Sequence, residues 1–337
     1  MLRYFGFSGF ITVAAVLVAL FALGPGAAAA TLVLIAIEVA FSIDNAVINA
    51  KVLERLSAFW QHLFLTVGML IAIVGMRFVF PILIVMVTAH LPWATVIGDA
   101  LHHPAVYGRH LQEAHAAIAA FGGSFLLTLA LYFLFDDARQ VHWLKTFERT
   151  LQKVGGTIWL PPLLVAITVS LAARFVPDHG DTILRAGLIG VASYTAIKLF
   201  IDSLGRLTPS GQKTYSGWPA FLAFMYLQLL DAAFSFDGVL GAFAITNKVL
   251  LIVLGLSVGA FWVRSLTVYM VRKGTLNDYK YLEHGAHYAI LVLAVALLSS
   301  LFFDVPDVIT GVSGLGVILA SFLSSREALH TKNARQV

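Results

Sequence analysis

Residues Ile37–Ala50 read IEVAFSIDNAVINA and residues Leu230–Phe243 read LDAAFSFDGVLGAF. Aligning Glu38 with Asp231 matches acid, Ala, Phe, Ser and Asp within one short window, with acid, serine and aspartate at i, i+4 and i+6 in both copies (Glu38, Ser42, Asp44; Asp231, Ser235, Asp237). Both copies lie inside long apolar runs. Each is followed by an apolar segment carrying a single arginine, Arg77 in VGMRFVFP and Arg264 in FWVRSLTV. The segments after these start beside Glu113 and His115 in one half and beside Glu283, His284 and His287 in the other, which agrees with a repeat of three helices.

Composition sets the medium in which these charges sit. Of 337 residues, 59% are hydrophobic and 12% charged, and the mean hydropathy is +0.88. Soluble domains carry about 25% charged residues, so a water-soluble protein is excluded. The net charge of +4 comes without a basic stripe, which excludes a nucleic-acid partner. The absence of cysteine removes disulfides, thiolate metal sites and cysteine nucleophiles.

A crossing helix needs about 20 apolar residues. Ten segments qualify: 5–23, 27–50, 63–89, 115–135, 157–176, 183–201, 219–246, 249–271, 285–303 and 306–324. The run from Phe5 to Leu23 is longer than the apolar core of a secretory signal, so a retained helix is expected. The fold class is therefore all-α: a single polytopic membrane domain over 1–337. Its parts are a first repeat over 27–135, a linking region over 136–218, a second repeat over 219–303 and a terminal helix with its tail over 304–337.

Alternate connections hold fifteen Lys and Arg on one side against four (Arg109, Arg174, Arg185 and Lys248) on the other. The positive-inside rule then puts both termini in the cytoplasm. Segments two and seven are an odd number of crossings apart, so the two copies run in opposite directions and form an inverted repeat. Transporters built this way bind their substrate near the midplane, where helices are interrupted. On an unbroken helix Glu38, Ser42, Asn45 and Asn49 share a face while Asp44 points about 120° away. Either the helix unwinds near Ser42 or Asp44 faces another neighbour. Lys198 and Asp202, one turn apart near a helix end, are expected to pair with each other.

Each carboxylate in an apolar helix costs about 2.5–3.5 kcal/mol on insertion scales, and such residues mark ion pathways. Four acids (Glu38, Asp44, Asp231, Asp237) against two arginines (Arg77, Arg264) leave a charge of −2, which one divalent cation cancels. The donors are carboxylates, the Ser42 and Ser235 hydroxyls and the Asn45 amide. Such an all-oxygen set suits Mg²⁺, Ca²⁺ or Mn²⁺ over copper or zinc. The structural alternative is that the acids pair with the arginines and hold the helices together. The histidine-rich stretch HHPAVYGRHLQEAH (His102–His115) lacks a compact zinc spacing. An intramembrane aspartyl protease would need a GxGD signature, which is missing, so no enzymatic activity is expected.

The two motifs, with GAFAITN (Gly241–Asn247) and YLEHGAHYAI (Tyr281–Ile290), resemble the TerC-like integral membrane proteins, a branch of the superfamily that includes LysE-type exporters. The resemblance spans roughly residues 30–300. It implies a cation exporter of the cytoplasmic membrane, most often for Mn²⁺, with Glu38, Asp44, Asn45, Asp231 and Asp237 at the motif's acidic and amide positions. The chain departs from that pattern at Gly238, where a side-chain oxygen is frequent, and in a longer segment between the halves. Divalent metal is thus expected as substrate, with no tightly bound cofactor. Membrane lipids, a second copy of the chain or the translocation machinery are the expected partners. The alternative function is an assembly or metallation factor that supplies metal to exported proteins.

Overall fold

The computed structural model describes residues 2–155, 157–207, 214–246, 248–274 and 279–334. Fourteen helices account for nearly all of them. They are α1 (Leu2–Leu23), α2 (Pro25–Phe41), α3 (Ile43–Leu53), α4 (Ala58–Ala89), α5 (Trp93–His102), α6 (Pro104–Glu113) and α7 (His115–Phe135). There follow α8 (Lys145–Val154), α9 (Leu160–Phe175), α10 (Gly180–Leu207), α11 (Gly217–Ile245), α12 (Val249–Lys273), α13 (Leu282–Ser299) and α14 (Asp307–Ala334). All ten apolar segments are helical. Among the described residues seven helices are long and apolar enough to cross a bilayer, or eight when α2 and α3 count as one bent span. At 16 residues, α9 is shorter than a full span.

These helices leave large apolar side chains uncovered, such as Phe10 and Phe21 on α1 and Phe175 on α9. A helix apolar on its outer face requires an apolar solvent. The chain is a multi-pass membrane protein.

The chain divides into two compact units. Unit 1 comprises Met1–His115 and Thr214–Tyr269, and unit 2 comprises Ala116–Lys213 and Met270–Val337. Unit 1 thus holds both motif copies and both intramembrane arginines. Within it, α1 is fastened to α12 by the Ser8 hydroxyl, which donates to the Phe261 carbonyl at 3.0 Å, and by the Trp262 indole, which donates to Thr12 at 2.8 Å. Buried polar tips in an apolar medium find such partners because leaving them unpaired is costly. The stretch 90–114, expected as a loop, forms α5 and α6, each opened by a proline at or just before its first turn (Pro92, Pro104).

In unit 2, α7 lies against α10 so closely that a Cβ on Gly190 would stand 2.4 Å from the Phe121 carbonyl oxygen. Lys198 and Asp202 pair as expected, at 2.7 Å. The short helix α8 is pegged by Glu148, which is fully buried. Its carboxylate accepts from the Leu144 amide at 3.1 Å and the Tyr288 hydroxyl at 3.1 Å, and lies 3.4 Å from both Arg139 and His284. Burial raises the pKa of this carboxyl, but hydrogen bonds from His284 and Leu144 and the charges of His284 and Arg139 outweigh it. They hold the group at about 2 instead of the ordinary 4.5.

A carboxyl whose folded pKa is depressed stabilises the fold fully above its unfolded pKa and loses that contribution as pH falls toward the folded one. Amide exchange of Lys145–Val154 in the solubilised protein should therefore lose protection between about pH 4.5 and pH 2. In Glu148→Gln it should already be unprotected at pH 6. Equal protection of both proteins across that range would remove Glu148 as the peg.

Candidate metal centre

The sequence reading left two options at Ser42, and the helix does break there. A 50° bend separates α2 from α3, and Ser42 sits at φ −110°, ψ 15°. Its amide still bonds the Glu38 carbonyl, and its own carbonyl accepts from Ala46. The second copy behaves differently: α11 runs unbroken through Asp231 and Gly238. The expected interruption is therefore present in the first motif and absent from the second. Backbone hydrogen bonding within α11 is not given up, because SFDG contains nothing that forces a break and glycine is tolerated in membrane helices.

Glu38, in the last turn of α2, is 4% exposed. It forms a buried ion pair with Arg77, and the Ser42 hydroxyl donates to the same carboxylate at 3.3 Å. Arg77 belongs to a part of α4, Ile71–Val79, whose turns widen to π-helical geometry. Such widening shifts side chains around a helix and recurs at functional sites. The second guanidinium nitrogen of Arg77 donates to the Ala72 carbonyl at 2.7 Å. The stem of Glu38 rests directly on Gly259 of α12, where any Cβ would stand 2.5 Å from its Cβ and Cγ. Gly238 faces the second carboxylate oxygen of Glu38, 3.2 Å from where its Cβ would be. The glycine thus leaves room beside the acid.

Asp231 is held by the other motif. One of its oxygens accepts from the Asn45 amide at 2.8 Å and from the Asn49 amide at 2.9 Å. Both asparagines project from α3 one turn apart. Because their NH₂ groups point at a carboxylate, their carbonyl oxygens must point elsewhere, and these oxygens are buried with no hydrogen-bond partner among the described residues. Arg264, also buried, donates to the Phe64 carbonyl at 2.5 Å and lies 3.6 Å above the Phe64 ring. Asp231 and Arg77 are the charges it feels.

Glu38, Ser42, Asn45, Asn49, Arg77, Asp231 and Arg264 line one cavity of about 30 Å³, closed by Met69, Ala72, Ala260, Val263 and Thr267. That is room for a water molecule or an ion without its hydration shell. Asp44 is buried and accepts from the backbone N–H of Asn45 at 2.8 Å, but it is not among the cavity's lining residues. The side chains of Ser235 and Asp237 lie outside the described residues.

Of the expected ligands the fold therefore gathers Glu38, Ser42, Asn45 and Asp231 with both arginines. It adds Asn49 to the cavity wall, whose i+4 spacing from Asn45 was the available signal, and places the buried Gln228, whose amide has no partner among the described residues, one turn before Asp231. Two acids and two arginines on the cavity wall balance in charge. Among the described residues no group of three or more His, Asp or Glu is placed to hold a metal ion. A cation at this wall would meet two carboxylates supplemented by amide and hydroxyl oxygens.

No curated protein and no solved structure matches the chain. Residues 43–332 match the family model described as protein of unknown function, DUF475, an extent that takes in every polar cavity residue except Glu38 and Ser42. The chain belongs to the DUF475 family.

Proposed function

We propose that the protein is a membrane transporter that exports a divalent metal cation, Mn²⁺ foremost, through the cavity between the two motifs. The observation that carries this reading is the pair of amide oxygens on Asn45 and Asn49 that have no partner among the described residues, buried beside the carboxylates of Glu38 and Asp231. Buried carbonyl oxygens lower their energy by meeting a donor or a cation. Asp44 and Asp237, the remaining acids of the motifs, complete the proposed charge balance of four acids against two arginines. Ser42 and Ser235 supply hydroxyl oxygens.

Hard oxygen donors favour Mg²⁺, Ca²⁺ and Mn²⁺. A cavity of about 30 Å³ admits only an ion stripped of most of its water, which counts against Mg²⁺, the most reluctant of the three to dehydrate. The resemblance to TerC-like proteins supports Mn²⁺. The proposed setting is the cytoplasmic membrane, with ten crossings, two inverted three-helix repeats and both termini inside. Release follows from protonation of carboxylates, which must be deprotonated to bind metal.

In proteoliposomes, wild-type protein should carry Mn²⁺ down an imposed gradient. Asp231→Asn should lower the initial rate at least tenfold while inserting and purifying normally, and Asn45→Leu with Asn49→Leu should do the same. Absence of Mn²⁺ flux in the wild type, with a pH gradient imposed, would defeat the transport reading. Recovery of the protein with the translocation machinery would then favour the assembly-factor role.

The ion pair gives a separate test of architecture. Removing one partner of a buried pair costs about 3–5 kcal/mol, whereas replacing both with apolar or neutral groups is often near neutral. Arg77→Met alone should lower the thermal midpoint strongly, and Glu38→Gln with Arg77→Met should recover most of the loss. A double variant no more stable than Arg77→Met would show that the two side chains are not energetically coupled.

A further inference from the structure

We propose that α8 is an in-plane helix that lies in the headgroup layer and binds anionic phospholipid. It is too short to span a bilayer, at ten residues, and reads KTFERTLQKV. At about 100° per residue, Lys145, Arg149 and Lys153 fall in one row about 80° wide. Leu144, Phe147, Leu151 and Val154 fall in a second row on the opposite side. All three basic residues are exposed. Leu144, Phe147 and Val154 are exposed too, with Val154 at 64%, and Val141, Ile158 and Trp159 continue the uncovered apolar surface on either side.

The one acid of the helix is what makes this surface selective. Glu148 is withdrawn into unit 2, bonded to the Leu144 amide and the Tyr288 hydroxyl and set against Arg139 and His284. The charge left facing outward is therefore basic alone, three positive groups and no negative one. Apolar side chains on one row with lysine and arginine on the other is the pattern of helices that lie in the membrane interface. Charge complementarity commits the occupant to the anionic headgroups of the bilayer itself. Each basic residue near such a surface contributes about 1 kcal/mol, so the three together bias the helix toward the immersed position by about 100-fold.

The chain has no cysteine, so Val154→Cys in the full-length protein gives a single labelling position at an exposed site. The spin-labelled protein is placed in bilayers of phosphatidylcholine alone and in a 3:1 mixture with phosphatidylglycerol, at low salt. With phosphatidylglycerol the label should be open to oxygen and shielded from a water-soluble nickel chelate. Adding Lys145→Gln, Arg149→Gln and Lys153→Gln, all surface changes, should reverse that preference, as should 0.5 M salt. Equal immersion in both lipids, or no effect of the three substitutions, would overturn the anionic-lipid assignment. A label shielded from oxygen and nickel alike would mean that protein, as a second copy or another partner, covers the helix, and would overturn it as well.

Discussion

The ion pair between Glu38 and Arg77 is the constraint around which unit 1 is arranged. Neither charge could stand alone in an apolar bundle, since the effective desolvation penalty is several kcal/mol per ion and is offset only by close pairing with further hydrogen bonds. Each feature around the pair serves that closeness. The π-widened turns of α4 carry Arg77, the Ala72 carbonyl occupies a second guanidinium nitrogen, and the Ser42 hydroxyl adds a donor to the carboxylate. Gly259 lets α12 press on the glutamate stem, and no larger residue would fit there.

The two motif copies share a sequence pattern and differ in what the structure does with it. Glu38 meets a guanidinium, whereas the equivalent acid, Asp231, meets two neutral amides from the other copy. The chain bends at Ser42 and runs straight through Ser235. Asn45 and Asn49, on α3 beyond the bend, reach Asp231, while Asp44 is not among the residues of the cavity wall.

Hydropathy made the helical segments legible because burial in lipid demands both length and apolarity, and all ten runs are helical, the run 27–50 as two helices. The charges inside those runs were legible for the same reason: in an apolar helix an acid stands out. Two kinds of feature were not. The 50° bend was undecidable because the local residues permit a straight helix equally well, as α11 demonstrates with nearly the same sequence. Glu148 gave no signal at all, since an acid among lysines and arginines in a polar segment is ordinary, and only packing against His284 and Tyr288 of a distant helix makes it a buried peg. The helices α5 and α6 escaped notice because their histidines and charges mask a short amphipathic pattern.

The distribution of unmet hydrogen bonds separates a site from a strut. If the cavity served only to hold helices together, the two acids and two arginines would suffice, since they balance in charge and Arg77 and Glu38 already meet. Gln228 would then be better replaced by an apolar residue, and Asn45 and Asn49 by donors with no second polar atom to bury, because each buried polar atom without a partner costs about 1–3 kcal/mol. These amides instead leave three carbonyl oxygens without a partner among the described residues, with Asn45 and Asn49 lining the cavity. A cost of that kind is recovered when something with positive charge or a donor occupies the space. The small volume, about 30 Å³, suits a small occupant, and in the proposed cycle that occupant is a divalent ion that trades most of its hydration shell for these oxygens.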